Sequence, residues 1–240
     1  MATYCCSDLH GNYEVFKKIQ EMLKPDDTMY FLGDAADRGP DGWRMIKEIL
    51  KDSRWIYLKG NHEDMLIKAA NAYLANDENW DYDSYCLCLR NGGEKTLFDW
   101  CNDEWRKEWL QCLKELPVHA IYESALIGVI RMSHAGYTPY HFVEFNGEPI
   151  EVPQQEWELL WDRSHFTEDW NNELAPYDYV IHGHTPCMYV ADEVGIDFRG
   201  NQDGPLWYCD NHKCCLDNWT AHTGRAVVLN LDTFEDCIVK

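Results

Sequence analysis

The opening third of the chain alternates short apolar runs with segments of helical periodicity. Short apolar or β-branched runs predict strands at residues 3–6, 28–32 and 55–58. Between and after them, apolar residues recur at helical spacing and predict helices over residues 13–23, 42–50 and 63–74. This βαβαβ order predicts a parallel sheet.

The pattern changes after residue 75. Residues 76–116 are rich in Trp and acidic residues and carry a Leu/Trp helical pattern, which predicts a mostly helical insertion ended by Pro117. From Val118 onward, β-type runs predominate, at residues 119–122, 126–132, 179–181, 206–208, 214–216 and 225–231. We therefore predict one α/β domain spanning residues 1–240, with two packed β-sheets and helices outside.

Composition narrows the classes of function. The chain has 240 residues, of which 45% are hydrophobic, so it is long and apolar enough to form a sizeable core. Its net charge of −21 argues against a nucleic-acid binder and against docking on anionic membranes. A soluble, solvated surface is the simplest interpretation of that charge.

Export signals and membrane spans are not evident in the sequence. Residues 1–6 lack the basic and apolar regions of a signal peptide, and there is no apolar run of about 18 residues. We expect a cytoplasmic protein whose 11 cysteines are reduced. Cys86, Cys88, Cys209, Cys214 and Cys215 lack paired C-x-x-C spacing, so buried or idle thiols are favoured over a zinc site.

Ligand-type side chains follow the predicted strands. They occur in the segments SDLHGN (7–12), GDAADRG (33–39), GNHE (60–63), SHAG (133–136) and HGHT (182–185). Asp8 and Asp34 are 26 residues apart and Asp34 and Asn61 are 27 apart, close to the roughly 30 residues of a βαβ unit. These residues should therefore meet at the carboxyl edge of one sheet, where open α/β sheets bind ligands.

Together these segments predict a site for two metal ions. Carboxylate, amide and imidazole ligands suit Mn, Fe or Zn better than Ca or a thiolate zinc site. Each residue alone has a structural interpretation, as a turn, cap or satisfied histidine, but six in this order favour a metal centre. The predicted ligands are Asp8, His10, Asp34, Asn61, His134 and His184.

Four further positions carry candidate chemistry or a competing interpretation. His62 cannot easily share a metal with Asn61, which leaves it free for acid–base catalysis. Arg38 and Arg163 are predicted to clamp phosphate, although Arg163 could instead pair with Asp162. His182 is interpreted as a satisfied strand histidine. No motif surrounds His165, His212 or His222, so they are assigned no role.

These motifs resemble those of the calcineurin-like metallophosphoesterases, in the phosphoprotein phosphatase branch. DLHG, GDAADRG, GNHE, SHAG and GHTP carry the resemblance, which extends from Ser7 to about Leu231. The length, the NGG segment at 91–93 and the WDR segment at 161–163 look most like the small phage and bacterial serine/threonine phosphatases of the lambda phosphatase type. The same branch includes symmetrical bis(5'-nucleosyl)-tetraphosphatases. The resemblance implies a four-layer α/β/β/α fold.

The resemblance also implies roles for these residues. One metal would take Asp8, His10 and Asp34, and the other Asp34, Asn61, His134 and His184, with Asp34 bridging. Asp37 would orient His62 as the proton donor, while Arg38, Arg163 and Asn61 would contact substrate. Hydroxide held between the metals would attack phosphorus directly. One departure is Asp217-Asn218-Trp219, where related small phosphatases carry Asp-Thr-Gly.

Three functions remain open from the sequence. The main prediction is a manganese-dependent hydrolase of phosphoserine and phosphothreonine proteins, with Fe or Zn as other possible metals. The alternative is a symmetrical dinucleoside-tetraphosphate hydrolase or another nucleotide phosphohydrolase of the same fold. A catalytically dead scaffold is disfavoured because every motif position is intact.

Overall fold

The computed structural model of the protein describes residues 1–75, 81–124, 127–138, 142–146, 148–151, 153–168, 178–198 and 204–240. Its strands are β1 Thr3–Cys6, β2 Thr28–Phe31, β3 Trp55–Tyr57, β4 His119–Ser124, β5 Gly128–Ser133, β6 Phe142–Phe145, β7 Glu148–Glu151, β8 Asp178–His182, β9 Leu206–Tyr208, β10 Lys213–Cys215, β11 Ala226–Asn230 and β12 Asp236–Val239. Its α-helices are α1 Tyr13–Met22, α2 Gly42–Lys51, α3 Asn61–Ala75, α4 Tyr82–Arg90, α5 Glu94–Cys101, α6 Arg106–Lys114, α7 Glu156–Trp161, α8 Cys187–Val194 and α9 Thr220–Thr223.

Two mixed five-stranded sheets form the centre of the molecule. The first has the order β12-β11-β1-β2-β3, in which β1, β2 and β3 are parallel and β11 and β12 add antiparallel pairings. The second has the order β4-β5-β8-β10-β9, with β5, β8 and β10 parallel. Strands β6 and β7 form a separate antiparallel pair.

Alternation along the strands explains why the sheets stack. Cys5 faces the apolar layer between the two sheets, whereas Cys6 faces the layer between the first sheet and helices α1 to α6. On β11, Val227 faces the inter-sheet layer and Val228 the helix layer. A third apolar cluster joins α8 to the outer face of the second sheet through Val190. The four-layer α/β/β/α prediction is confirmed.

Most predicted elements are present, with shifted ends. The insertion is helical over its described part, where α4, α5 and α6 lie, while residues 76–80 fall outside the described residues. Helix α3 begins at Asn61 rather than Glu63, and no sequence signal led us to expect α7, α8, α9, β6, β7 or β12. The 1–240 single domain stays a prediction. Every helix in the described ranges is too short or too polar to cross a bilayer.

Candidate metal centre and adjoining cavity

The candidate ligands lie where strands of both sheets end. Asp8 follows β1, Asp34 follows β2, and Asn61 opens α3 just beyond β3. His134 follows β5 and His184 follows β8, so the second sheet supplies two of the three imidazoles, and the third, His10, follows β1. The carboxyl ends of parallel strands in both sheets therefore deliver all these side chains to one place.

One group of lone pairs converges on the Asn61 carbonyl. Its Oδ1 lies 2.7 Å from His134 Nε2 and 2.9 Å from His184 Nδ1, and these two nitrogens are 3.2 Å apart. His134 Nδ1 donates to the Leu32 carbonyl at 2.8 Å, which leaves its Nε2 as an acceptor in the neutral ring. Asn61 Oδ1 and His134 Nε2 are therefore two acceptors only 2.7 Å apart, and they repel one another unless a cation lies between them, so this group fits a metal ion.

A second group surrounds His10. The Nδ1 of His10 donates to the Ala36 carbonyl, and its Nε2 accepts from Arg38 Nη1 at 2.9 Å. The same Nε2 lies 3.6 Å from Asp34 Oδ2 and 3.8 Å from Asp8 Oδ1. The other oxygen of Asp34, Oδ1, lies 3.4 Å from His134 Nε2. The two oxygens of Asp34 thus face different ligand groups, which is the geometry that a carboxylate shared between two cations requires.

Buried charge also fits divalent ions. Asp8 and Asp34 are almost fully buried, and Asp8 Oδ1 has no hydrogen-bond partner among the described residues. Burial and the neighbouring Asp8 and Glu63 carboxylates raise the pKa of Asp34 well above its usual value. Burial lowers the pKa of His134 and His184, which keeps both rings in the neutral form that binds metals. The residues present therefore fit two divalent cations.

Glu63 holds the ligand loops in place, a role the sequence analysis missed. Its buried carboxylate accepts hydrogen bonds from the backbone N–H groups of Asp34, Ala35, Ala36 and Gly60 at 2.8 to 3.1 Å. One side chain thus ties the loop after β2 to the loop after β3. The available signal was its place in the GNHE motif, but its partners are main-chain atoms that the sequence does not reveal.

The backbone of the site is strained. Six residues of the site have φ between 44° and 69°, namely Asp8, His10, Asp34, Asp37, Arg38 and His184. Non-glycine residues in this left-handed region carry a conformational cost and cluster at functional sites. Glycines make the approach possible, because a Cβ on Gly60 would lie 2.2 Å from Asp34 Oδ1 and one on Gly183 2.0 Å from Asp8 Oδ2.

His62, Asp37 and Arg38 form a chain of contacts beside the ligands. His62 Nδ1 lies 2.8 Å from Asp37 Oδ2, and His62 Nε2 lies 3.0 Å from Arg38 Nη2. Burial raises the pKa of Asp37 to about 7 and lowers that of His62. His62 Nε2 is also 3.8 Å from Asp34 Oδ2, close enough that metal ligation is a competing role.

Arg38 and Arg163 both line a cavity of about 650 Å³ that opens beside His184. Arg163 Nε donates to Thr185 Oγ1 at 2.9 Å and Nη1 to the Trp161 carbonyl at 3.4 Å. Asp162 instead accepts hydrogen bonds from the backbone of Arg163 and Ser164. The guanidinium is therefore presented to the cavity beside Arg38.

Two further buried histidines, His182 and His165, make hydrogen bonds to groups other than the candidate ligands. His182 is buried in β8, with Nε2 2.8 Å from the Tyr208 hydroxyl and Nδ1 3.0 Å from the Gly183 carbonyl, as expected for a satisfied strand histidine. His165 is buried and its Nε2 donates to the Ala135 carbonyl at 2.7 Å. All 11 cysteines lie in the described ranges and are free thiols.

Comparison with known families identifies the class of this site. Residues 1–188 match the family described as calcineurin-like phosphoesterase. The chain belongs to this family. Its members are metal-dependent phosphoesterases, in agreement with the ligand groups described above.

Individual relatives and structures resemble the chain more distantly. The symmetrical bis(5'-nucleosyl)-tetraphosphatase of Buchnera aphidicola is 33% identical over 144 residues, which are 58% of this chain and 46% of that protein. The chain thus spans about half the length of that relative. The asymmetrical bis(5'-nucleosyl)-tetraphosphatase PrpE of Anoxybacillus flavithermus is 22% identical, covering 79% of this chain and 82% of its own. A Saccharomyces cerevisiae serine/threonine phosphatase has a similar fold, with a TM-score of 0.54 and 15% identity over 97% of this chain and 73% of that one.

Proposed function

We propose that the protein hydrolyses dinucleoside polyphosphates, such as diadenosine tetraphosphate, with two divalent metal ions. The observation that carries the proposal is the placement of the Asp34 carboxylate. Its two oxygens face separate ligand groups beside a pair of arginines. Two such ions supply Lewis acidity, which makes water nucleophilic at neutral pH and neutralises charge on phosphoryl oxygens. Asp8, His10 and Asp34 would hold one ion, and Asp34, Asn61, His134 and His184 the other.

The chain's own side chains would perform the remaining steps. Arg38 and Arg163, which line the cavity, would bind the phosphoryl oxygens through their guanidinium groups. Asn61 would also contact the substrate. The Nδ1–H of His62 would donate to Asp37, which orients the ring, while Nε2 would take up the proton that the attacking water loses and deliver it to the departing oxygen. Protonation matters because an unprotonated alkoxide is a poor leaving group.

The nature of the substrate is the finer part of the proposal. The named activities of the curated relatives favour nucleotide substrates over phosphoserine and phosphothreonine proteins, which the sequence analysis had put first. The yeast phosphatase carries no weight on substrate, because 15% identity shows fold alone.

A side-by-side assay tests the substrate class. With Mn present, diadenosine tetraphosphate and a panel of phosphoserine, phosphothreonine and phosphotyrosine peptides would be compared by kcat/KM. We expect the dinucleotide to be preferred by at least tenfold. A preference of that size for any peptide would overturn the proposal, and the distribution of ADP, ATP and AMP among the products would show which bond is cleaved.

Manganese is the proposed native metal. Imidazole ligands suit Mn better than Mg, which prefers an all-oxygen shell, and Fe and Zn suit the same ligands. Chelated and dialysed protein should be inactive, and Mn should restore more activity than equal Mg. Full activity in excess chelator would contradict this part of the proposal.

A further inference from the structure

The cavity beside the metal centre is larger than a phosphoryl group needs. Its volume of about 650 Å³ is typical of sites for whole small molecules. Arg38, Arg163 and His184 line it where it adjoins the ligand groups, and the other lining residues include Tyr189, Glu193 and Trp219. A substrate with its phosphoryl group at the arginines would therefore have a second part lying against these other residues.

Those residues form an aromatic wall. The rings of Tyr189 and Trp219 meet edge to face, with centroids 6.0 Å apart, and His222 packs 4.3 Å from the indole. Tyr189 nevertheless remains 49% exposed, so part of its ring is free to contact a ligand. Glu193 follows Tyr189 by one turn on α8 and therefore lies on the same face of that helix.

The conformation of Trp219 indicates that its side chain is used. Trp219 has φ of +56°, a left-handed conformation that glycine or asparagine adopts at lower cost than a bulky residue. Its backbone N–H donates to Asp217 Oδ1 at 2.8 Å, and Thr223 Oγ1 contacts its carbonyl, so the loop is held in this shape. A strained tryptophan beside a functional cavity fits a ligand contact.

The cavity thus has a cationic part and an aromatic part, and a nucleotide has the matching division. We infer that Tyr189 and Trp219 form a subsite that stacks the base of the substrate, with Glu193 accepting from an exocyclic amino group of that base. This inference rests on the proposed function, which it deepens by assigning the part of the site that recognises the nucleoside. Stacking is tolerant of base identity, because every base has a π-face.

A matched pair of ligands isolates the subsite from the phosphate clamp. Methylenediphosphonate and the methylene-bridged analogue of ADP differ by the nucleoside and resist hydrolysis at the bridge. Calorimetric titration of Mn-loaded protein would compare the wild type with Tyr189→Ala and Trp219→Asn. We chose asparagine because it tolerates the left-handed backbone.

Each substitution should lower the affinity for the ADP analogue by roughly 5- to 100-fold and change the affinity for methylenediphosphonate by no more than about twofold. Tyr189→Phe should restore wild-type affinity, because it keeps the ring. Asp192→Ala, at an exposed position of the same helix and outside this cavity, is the control. Equal weakening of both ligands, or no effect of Tyr189→Ala on the ADP analogue, would overturn the inference. If Trp219→Asn does not fold, the Tyr189 variants decide alone.

Turnover separates failure of the subsite from failure of the proposed function. If the wild type hydrolyses diadenosine tetraphosphate and both variants have the same KM for it as the wild type, the subsite assignment is wrong. The proposed function then still stands. If wild type does not hydrolyse it, the proposed function is wrong, and the paired titration alone judges the subsite. Variants that lose affinity for a phosphotyrosine peptide but keep it for the ADP analogue would assign the wall to a tyrosyl ring and overturn the inference.

Discussion

The loops of the first sheet supply both carboxylates of the candidate metal centre, with His10 and Asn61, whereas those of the second sheet supply only the imidazoles of His134 and His184. Burial acts on both halves in the same way, because it disfavours the charged form of each group. It raises the pKa of Asp34, Asp37 and Glu63 and lowers that of His134 and His184. The consequences differ, since a neutral imidazole is ready to bind metal but a carboxylate must be kept ionised.

We call the ligands from the first sheet the acidic half of the site and those from the second sheet, His134 and His184, the imidazole half. The acidic half is therefore the one that depends on compensating charge. Glu63 is stabilised by four backbone N–H groups, but the Oδ1 of Asp8 has no partner within the described ranges. Divalent cations would stabilise these buried carboxylates directly. Substitutions in the acidic half should therefore affect metal retention most, and those in the imidazole half should show their effect most clearly as pH falls.

The largest expected effect is that of Asp34→Asn, because Asp34 is the only ligand proposed for both ions. Its loss should lower kcat on the order of 10³-fold, corresponding to several kcal/mol of charge stabilisation, and reduce bound metal below that of any other ligand variant. Elemental analysis per chain beside kcat measures both, and Asp26→Asn at an exposed position is the matched control. Two bound metals with near-normal turnover would show that Asp34 does not bridge.

His62→Asn should lower kcat by about 10²–10⁴ with metal content nearly unchanged, if His62 is the proton donor. The loss should be smaller for an aryl phosphate than for an alkyl phosphate, because an aryl leaving group needs little protonation. Turnover of both substrates and metal analysis of both proteins measure this. Equal losses on the two substrates, or loss of bound metal, would instead assign His62 to structure or to ligation, as its 3.8 Å approach to Asp34 allows.

The sequence predicts the ligands of the acidic half more directly than those of the imidazole half. Asp8, Asp34 and Asn61 were predictable because each ends a βα unit of regular length, so sequence spacing translates into spatial proximity. The spacing did not indicate that His134 and His184 lie on a second sheet beside the first one, because β5, β8 and β10 are brought together by long connections. The aromatic wall was not predicted, since Tyr189 and Trp219 belong to different segments and neither lies in a ligand motif.

Glu63→Gln should disturb the acidic half without removing a proposed ligand. A glutamine amide offers one acceptor oxygen to four N–H donors, so about 3 kcal/mol of stability should be lost with the charge-assisted hydrogen bonds. Metal affinity should fall roughly 10- to 100-fold, because the loop carrying Asp34 is no longer fixed. Denaturant unfolding and metal titration measure these effects, with exposed Glu108→Gln as control. Unchanged metal affinity would show that Glu63 does not position the metal ligands.

The smallest effect expected concerns His165, in the imidazole half but outside the ligand groups. Burial lowers its pKa to about 4, and nearby Lys213 adds to the shift. The unfolded chain binds this proton with a pKa of about 6.5, so protonation favours unfolding. The contribution to stability is therefore complete above pH 6.5 and declines as pH falls from 6.5 towards 4.

His165→Gln isolates that contribution, because glutamine can still donate to the Ala135 carbonyl but does not titrate. Between pH 7.5 and pH 5, wild type should lose about 2 kcal/mol more unfolding free energy than His165→Gln, at 1.36 kcal/mol per pKa unit. Urea unfolding at both pH values measures the difference, and His119→Gln at an exposed position should behave like wild type. If wild type and His165→Gln lose stability in parallel, the acid sensitivity of this half resides in its other histidines.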